Sequence, residues 1–283
     1  MAYQAFDVKP IAGALGAEIL GVDLSRDLGN QEFDEIHQAF LDNKTLCFRD
    51  QNLTPDRQVK FASRFGQPDI YPYIKSLPDF PEVIEILKTE QDTMNFGGGW
   101  HSDTSYLPQP AMGTFLYALE VPDSGGDTLF TNMQLAYENL SSAMREMLDD
   151  LIGVNSSAQN YKGGRAASIK KLDGMKGKFI ESSEVSVAEH PVVRIHPETG
   201  HKGLYVSRAH TTNFKGMSVE ESQPLIQFLS DHAVRPEFTC RVRWRPGTLV
   251  LWDNRCTQHF ALNDYNGQRR RMHRVTLRGD RPV

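Results

Sequence analysis

The chain has 283 residues, of which 39% are hydrophobic and 24% charged, so it can bury a sizeable core as one large domain or two small ones. Its formal net charge of −5 argues against the basic surface that nucleic-acid binding requires. No apolar run approaches the roughly 18 residues that a membrane-spanning helix needs, so we expect no membrane partner either.

The three cysteines, Cys47, Cys240 and Cys256, are widely separated and form no CxxC motif. This spacing favours reduced, partly buried thiols over a disulfide framework or a zinc cage. The first residues of the sequence lack the basic start and the apolar centre of a signal peptide. Together these features predict a cytoplasmic protein.

Short elements are predicted along the first part of the chain. Glycines divide residues 6–24 into short strands, and apolar residues spaced as on one helical face predict a helix over 30–42. A strand follows at 45–48. The next helix, over 54–65, has a threonine at its cap position and a proline in its first turn. Residues 68–81 are rich in proline, tyrosine and aspartate, which predicts an irregular loop.

Strands and one long helix are predicted in the middle of the chain. The strands lie at 81–87 and 113–119, and a turn over 124–130 enters another. A stripe of apolar residues predicts a single helix over about 133–151. Residues 155–188 are polar, small and locally basic, which is typical of a mobile lid over a site or of a solvated insert.

The last third of the chain predicts a second β-rich half. Strands are predicted at 203–206, 238–244 and 248–252, and a capping-box pattern opens a helix over 218–232. Many short strands with few helices predict a mainly β protein, with a β-sandwich or jelly roll flanked by helices.

A candidate metal site begins at His101 and Asp103, which lie two residues apart. Alternate side chains of an extended segment share one face, so the imidazole and the carboxylate point to the same side. His259, after the apolar strand at 248–252, is the best candidate for a third ligand. Two histidines and one carboxylate on one face of an iron leave positions open for substrate and oxygen. A surface or hydrogen-bonded histidine is the alternative for either imidazole.

The basic run near the end of the chain also has two interpretations. It is typical of a solvated face or polyanion patch, but in a strand Arg270, Met272 and Arg274 would share one face. Buried guanidiniums are costly unless each meets an anion, and arginine binds carboxylates or sulfonates in a bidentate way. The strand interpretation therefore predicts two separate anionic ligands beside the metal.

These residues resemble the taurine/2-oxoglutarate dioxygenases and their aryloxyalkanoate relatives, the TauD/TfdA family. The resemblance spans nearly the whole chain and rests on five stretches: GAEILGVDL at 16–24, WHSD at 100–103, GGDTLF at 125–130, WDNRCTQH at 252–259 and RRRMHR at 269–274. It implies a double-stranded β-helix, or jelly roll, core in a single domain over 1–283.

The resemblance also implies a role for each candidate residue. His101, Asp103 and His259 would bind Fe(II) and form the catalytic centre. The family uses 2-oxoglutarate as a cosubstrate together with O2. The distal carboxylate of 2-oxoglutarate would bind to Thr128 and Arg270. Arg274 would hold the anion of the substrate.

The sequence departs from the taurine-type enzymes at three expected substrate contacts. Tyr71 stands where those enzymes have a histidine, Gly97 where they have an asparagine, and His210 where they have a phenylalanine. The resemblance therefore does not extend to taurine itself. His210 is either a substrate contact or a structural histidine, and the glycine run 97–99 either allows a close approach to the metal or is a flexible loop.

The predicted function is hydroxylation of a small anionic organic substrate, a sulfonate or an aryloxy or alkyl carboxylate, often with loss of a heteroatom leaving group. Succinate and CO2 would be the products from 2-oxoglutarate. The family also implies a homodimer or homotetramer. A zinc-dependent hydrolase using the same three ligands, or a non-catalytic small-anion binding protein, is the alternative.

Overall fold

The computed structural model describes residues 3–158, 172–178, 180 and 185–283. Within these residues the fold is mainly β, and the helices are α1 (Asn30–Asn43), α2 (Pro55–Ser63), α3 (Met133–Glu138), α4 (Ser142–Asp149) and α5 (Val219–Ala233). The strands are β1 (Asp7–Pro10), β2 (Ala17–Leu20), β3 (Thr45–Phe48), β4 (Pro68–Asp69), β5 (Ser76–Leu77), β6 (Phe80–Lys88), β7 (Gly113–Glu120), β8 (Thr128–Asn132), β9 (Ile152–Ser156), β10 (Val187–Pro191), β11 (Val193–Ile195), β12 (Lys202–Leu204), β13 (Thr211–Phe214), β14 (Thr239–Val242), β15 (Leu249–Asp253), β16 (Thr257–Ala261) and β17 (Arg270–Leu277).

The largest sheet has nine strands, ordered β1-β2-β3-β15-β7-β17-β6-β5, with β4 paired to β17. A three-stranded sheet, β14-β8-β16, accompanies it. One apolar cluster joins side chains from both sheets, including Leu116 and Met272 from the large sheet and Phe130 and Val242 from the small one. The double-stranded β-helix core predicted from the resemblance is therefore confirmed, and its interior lies between these two sheets.

Helices α1 and α2 cover the outer face of the large sheet. Their buried side chains, including Phe40 and Phe61, join a cluster with Phe115 and Leu251 of the sheet. Phe115 is fully buried, and the rings of Phe61 and Phe65 pack edge-on against it at centroid distances of 5.7 and 5.4 Å. This packing fixes β7, the neighbour of β17 in the sheet. None of the helices in the described ranges is long and apolar enough to cross a membrane.

The predicted single helix over 133–151 is wrong. The chain forms α3 and then α4, separated at Asn139–Ser141. Ser141 caps the second helix, since its side chain accepts a hydrogen bond from Met144 N at 3.3 Å. The apolar periodicity continues across this break, with Leu140 and Leu148 both buried, so the pattern alone did not separate the two helices.

Other predicted boundaries shift by a few residues. The predicted strand 238–244 is shorter, because Phe238 belongs to a 3-10 turn and the strand itself is β14. The predicted strand at 203–206 is β12, which ends at Leu204. The predicted loop over 68–81 contains the two-residue strands β4 and β5 and the start of β6.

The predicted lid over 155–188 lies partly outside the described residues, which omit 159–171, 179 and 181–184. Its two ends belong to β9 and β10, which pair antiparallel. Between them, Gly174 lies so close to β6 that a Cβ added there would be 2.3 Å from the carbonyl oxygen of Leu87. The lid and the single domain over 1–283 stay predictions.

Replacing Phe115 by alanine should lower the free energy of unfolding by roughly 3–5 kcal/mol, because it leaves a cavity among packed rings. Chemical denaturation of the purified protein measures this change. Phe228→Ala is the matched control: its side chain is 47% exposed, so the same truncation should change stability by about 0.5 kcal/mol or less. Equal losses in the two variants would contradict the packing described here.

Candidate metal centre and anion-binding cavity

His101, Asp103 and His259 meet at one point in the interior between the two sheets. One donor atom from each lies within 4.8 Å of the others, and all three residues are buried. The two histidines form an isolated antiparallel bridge in which His259 N donates to His101 O at 2.9 Å and His101 N to His259 O at 3.2 Å. This backbone pairing, and not the distance along the chain, brings the two imidazoles together.

The His101 ring is oriented by its own loop. Its Nδ1 lies 2.9 Å from the carbonyl oxygen of Gly99, which can only accept, so Nδ1 carries the proton and Nε2 is the ring nitrogen whose lone pair can bind a metal. Gly97 lies against the same ring with a φ of +79°, and a Cβ there would be 3.5 Å from His101 Cε1. The positive φ favours glycine at position 97, but 3.5 Å is an ordinary contact distance for a Cβ, so both interpretations of the glycine run stay predictions.

Two neighbours hold the Asp103 carboxylate, and a third holds its backbone. Thr114 Oγ1 donates to its Oδ2 at 2.8 Å, and Arg274 Nη2 lies 3.0 Å from the same oxygen. Asn254 Oδ1 accepts from Asp103 N at 3.2 Å, and Asn254 Nδ2 donates to Thr114 Oγ1 at 3.0 Å. The other oxygen, Oδ1, lies 3.7 Å from His101 Nε2. Oδ2 is thus used within the protein, and Oδ1 faces the imidazoles.

Electrostatics keep this carboxylate ionised. Burial by itself raises the pKa of Asp103, but the Arg274 charge and then the two imidazoles outweigh it, so the pKa lies well below its ordinary range. Two buried nitrogen donors and one buried anionic oxygen, with one histidine already in the metal-binding tautomer, fit Fe(II).

Arg270 and Thr128 line one side of the cavity that contains these donors. The Arg270 guanidinium lies 5.4 Å from the centroid of the Trp244 ring, and Trp244 Nε1 donates to Thr128 Oγ1 at 3.0 Å. Among the described residues, Nε and Nη2 of Arg270 have no hydrogen-bond partner although they are buried. Burial lowers the pKa of Arg270. Buried donors without acceptors mark a place where an anion would be stabilised.

Arg274 lines the same cavity, two alternations further along β17. Arg270, Met272 and Arg274 are all buried, whereas Arg271 and His273 are half-buried, so the prediction of a shared inward face is confirmed. Arg274 Nε has no hydrogen-bond partner in the part of the chain that is described. The polyanion-patch interpretation is therefore wrong for these two arginines.

The three residues predicted to contact substrate have different positions. Gly97 lines the cavity, and the Tyr71 ring lies beside Arg274, whose Cζ is 5.3 Å from the ring centroid. His210 is fully buried, with Nδ1 2.8 Å from Ser105 Oγ. Its ring packs edge-on against His101 at 5.9 Å, but it is not among the residues that line the cavity. The structural role therefore accounts for more of its contacts.

Sequence reasoning missed the residues that support the site. Thr114, Asn254 and Trp244 carry no charge or motif spacing of their own, and only strand alternation on β7 could have pointed Thr114 inward. A second acidic group was missed as well: Asp253 accepts from Arg255 and from His196 Nε2. All its oxygens have protein partners, so this cluster is a buried ion-pair network that holds the turn before His259.

The chain is similar to known proteins over nearly its whole length. A family model described as taurine catabolism dioxygenase TauD, TfdA family, matches residues 7–276. An alkylsulfatase of Acinetobacter baylyi is 34% identical, covering 98% of this chain and 86% of its own length. An alpha-ketoglutarate-dependent sulfate ester dioxygenase of Pseudomonas putida is 36% identical, covering 98% of this chain and 91% of its own.

Solved structures agree with the sequence relatives. A taurine dioxygenase from Burkholderia xenovorans is 36% identical and superposes with a TM-score of 0.82, covering 99% of this chain and 93% of that chain. The similarity extends over the whole β architecture and is not confined to the metal motif.

Thr114→Val should weaken binding of Mn(II) or Fe(II) roughly tenfold or more, because hydrogen bonds to a ligating carboxylate orient it for the metal. Anaerobic titration monitored by calorimetry measures the affinity. Thr45→Val is the matched control, since the Thr45 hydroxyl is buried and has no hydrogen-bond partner among the described residues. Unchanged affinity in the Thr114 variant would remove the assigned role of this hydrogen bond.

Proposed function

We propose, from the premise that this chain belongs to the TauD, TfdA family of taurine catabolism dioxygenases, that it oxidises a small sulfate ester or sulfonate with an apolar body. The chain is an Fe(II)- and 2-oxoglutarate-dependent dioxygenase that uses O2, and proteins of this kind act on small anionic organic compounds. The assignment of single residues and of the substrate is our own.

His101, Asp103 and His259 hold the iron in this proposal. Bound Fe(II) with 2-oxoglutarate and O2 supplies oxidative decarboxylation of the cosubstrate and hydroxylation of a substrate C–H bond. The chain contributes position: Asp103 stays ionised, Thr114 and Arg274 hold its Oδ2, and the Gly99 carbonyl fixes the His101 tautomer. This arrangement leaves Asp103 Oδ1 and His101 Nε2 directed at the same point.

Arg270 and Thr128 take the distal carboxylate of 2-oxoglutarate. The unpartnered Nε and Nη2 of Arg270 are buried beside the Thr128 hydroxyl, in the same cavity as the metal donors. A carboxylate accepting both donors would restore the hydrogen bonding that burial removes. These two buried donors without an acceptor among the described residues are the single observation that most supports the assignment.

Arg274 takes the anionic group of the organic substrate, with Tyr71 beside it. The rest of the cavity wall is apolar and comprises Ile86, Phe96, Leu116, Trp252 and Ala261. Asp103 is the one carboxylate among the described residues that line it, and its charge is already matched by Arg274. Among the described lining residues a substrate ammonium would therefore find no unpaired carboxylate, which favours an alkyl or aryl body over the amine of taurine.

For a sulfate ester, hydroxylation of the carbon that bears the ester oxygen gives an unstable product. That product collapses to an aldehyde and sulfate, while 2-oxoglutarate becomes succinate and CO2. The buried arginine and the apolar wall orient the substrate and exclude water from the reacting carbon.

Neither alternative function accounts for both findings. A zinc hydrolase or a non-catalytic anion-binding protein does not require two buried arginines on one face of β17, and neither fits a family of 2-oxoglutarate-dependent dioxygenases.

We also propose a cytoplasmic location, which the three free, buried thiols support. The proposed oligomeric state is a homodimer or homotetramer, which light scattering would measure.

The substrate proposal is tested by a 2-oxoglutarate consumption screen with Fe(II) and ascorbate. Hexyl sulfate, hexanesulfonate, phenoxypropionate and taurine are compared, with succinate, sulfate and sulfite measured. We expect kcat/KM for hexyl sulfate to exceed that for taurine by roughly tenfold or more, because the taurine ammonium lacks a partner. Asp103→Ala should abolish turnover, and Zn(II) should inhibit it. Taurine as the best substrate would contradict the proposal.

The two arginines should separate the two anions. Arg274→Ala should raise KM for the organic substrate roughly tenfold or more and leave that for 2-oxoglutarate nearly unchanged, because a charge-assisted hydrogen bond contributes about 1.5–3 kcal/mol. Arg270→Ala should do the reverse. Arg271→Ala, on the half-buried face of the same strand, is the control and should change neither. Equal effects of both variants on both ligands would overturn the assignment.

A further inference from the structure

Tyr265, in the loop between β16 and β17, is 2% exposed and tightly seated. The Lys88 ammonium lies 3.9 Å from its ring centroid. Gly126, in the GGDTLF stretch, is so close that a Cβ there would be 3.2 Å from Tyr265 Cδ1. The ring therefore lies between Lys88, at the end of β6 in the large sheet, and Gly126, just before β8 of the small sheet.

The Tyr265 hydroxyl reaches a second loop. It donates to Asn95 Oδ1 at 2.8 Å, and Asn95 Nδ2 donates to the Leu262 carbonyl at 2.6 Å. Asn95 begins residues 95–99, here called the cover loop, which contributes Phe96 and Gly97 to the cavity wall and the carbonyl that orients His101. The hydroxyl thus connects the β16–β17 loop to the loop beside the metal.

The same phenol lies close to Arg270. Arg270 is the cross-strand partner of Lys88 in the pairing of β17 with β6, and the Lys88 ammonium covers the Tyr265 ring. Burial raises the pKa of Tyr265, and the nearby Arg270 charge partly offsets the rise. The Arg270 charge therefore acts on a phenol whose own proton is donated to Asn95.

We propose that Tyr265 is a positioning residue that couples binding of 2-oxoglutarate at Arg270 to placement of the cover loop, and so to binding of the organic substrate. This inference rests on the proposed role of Arg270. It names a function for a side chain that is not itself among the described residues lining the cavity.

The Tyr265 hydrogen bond holds the cover loop at the residue before its glycines. Phe96 packs against the apolar cluster between the sheets, whereas Gly97 and Gly99, with φ values of +79° and +99°, contribute no side chain. A carboxylate on Arg270 fixes the guanidinium, the guanidinium orients the phenol, and the phenol holds Asn95. The coupling is reciprocal, so an ordered cover loop also favours the cosubstrate.

Tyr265→Phe removes the hydroxyl and keeps the ring packed against Lys88 and Gly126. We expect KM for the organic substrate to rise about fivefold, the effect of one lost hydrogen bond. Because the coupling is reciprocal, the Kd of 2-oxoglutarate measured with the organic substrate bound should rise by a similar factor. Without the organic substrate it should change by less than about twofold, because Arg270 and Thr128 are retained. Succinate should form in excess of oxidised substrate, since the cover loop no longer holds the substrate in place.

Hydrogen exchange supplies a readout that does not depend on turnover. In the anaerobic Mn(II)-loaded protein, 2-oxoglutarate should slow amide exchange in residues 93–99, and this slowing should be lost in Tyr265→Phe. Asn95→Ala should have the same effects, and the double variant should be no worse than either single one. Tyr137→Phe is the control: it removes a buried tyrosine's hydrogen bond to Asp149, of 3.0 Å, outside the cavity.

The outcomes separate the two proposals. Wild-type KM values, full coupling and retained slowing of exchange in Tyr265→Phe and Asn95→Ala would overturn the inference while the proposed function stands. A wild-type protein that consumes no 2-oxoglutarate with any anionic substrate would instead overturn the proposed function.

Discussion

Two guanidinium groups buried on one face of a single strand are the constraint that organises this protein. Transferring a charge from water to the interior is costly unless the charge meets a partner, and β17 carries Arg270 and Arg274 two alternations apart. The protein supplies partial compensation: Asp103 for Arg274, and the Trp244 ring for Arg270. Donors of both arginines remain without protein acceptors among the described residues, and in the proposed function small anions supply those acceptors.

The metal centre depends on the same balance of charge. Thr114 and Arg274 hold one oxygen of Asp103, so the other oxygen is directed at the imidazoles, where a metal would bind. Asn254 joins this carboxylate's backbone to Thr114, so β7 and the turn after β15 are fixed relative to each other. In the proposed function, the organic anion binds to Arg274, one contact away from the metal ligand Asp103.

Substrate choice is separable from the chemistry that the fold supports. The β architecture superposes on a taurine dioxygenase over nearly all of the chain. The described cavity wall, however, is apolar beyond the two arginines, Thr128 and the metal donors, with a glycine at position 97 and Tyr71 beside Arg274. In the proposed function, a few side chains at the wall, not the sheet topology, distinguish an amine-bearing substrate from one with an alkyl or aryl body.

The sequence by itself determined the three metal donors, the inward face of β17 and the jelly-roll class. These features follow from local periodicity and from chemistry that few residue types can supply, so they are visible without a structure. Only the tertiary structure decided which side chains support them. Thr114, Asn254 and Tyr265 meet their partners across sheets and loops far apart in the chain, and uncharged residues carry no local signal of such contacts. The break between α3 and α4 was missed because apolar periodicity reports burial and not the hydrogen bond by which Ser141 starts a new helix.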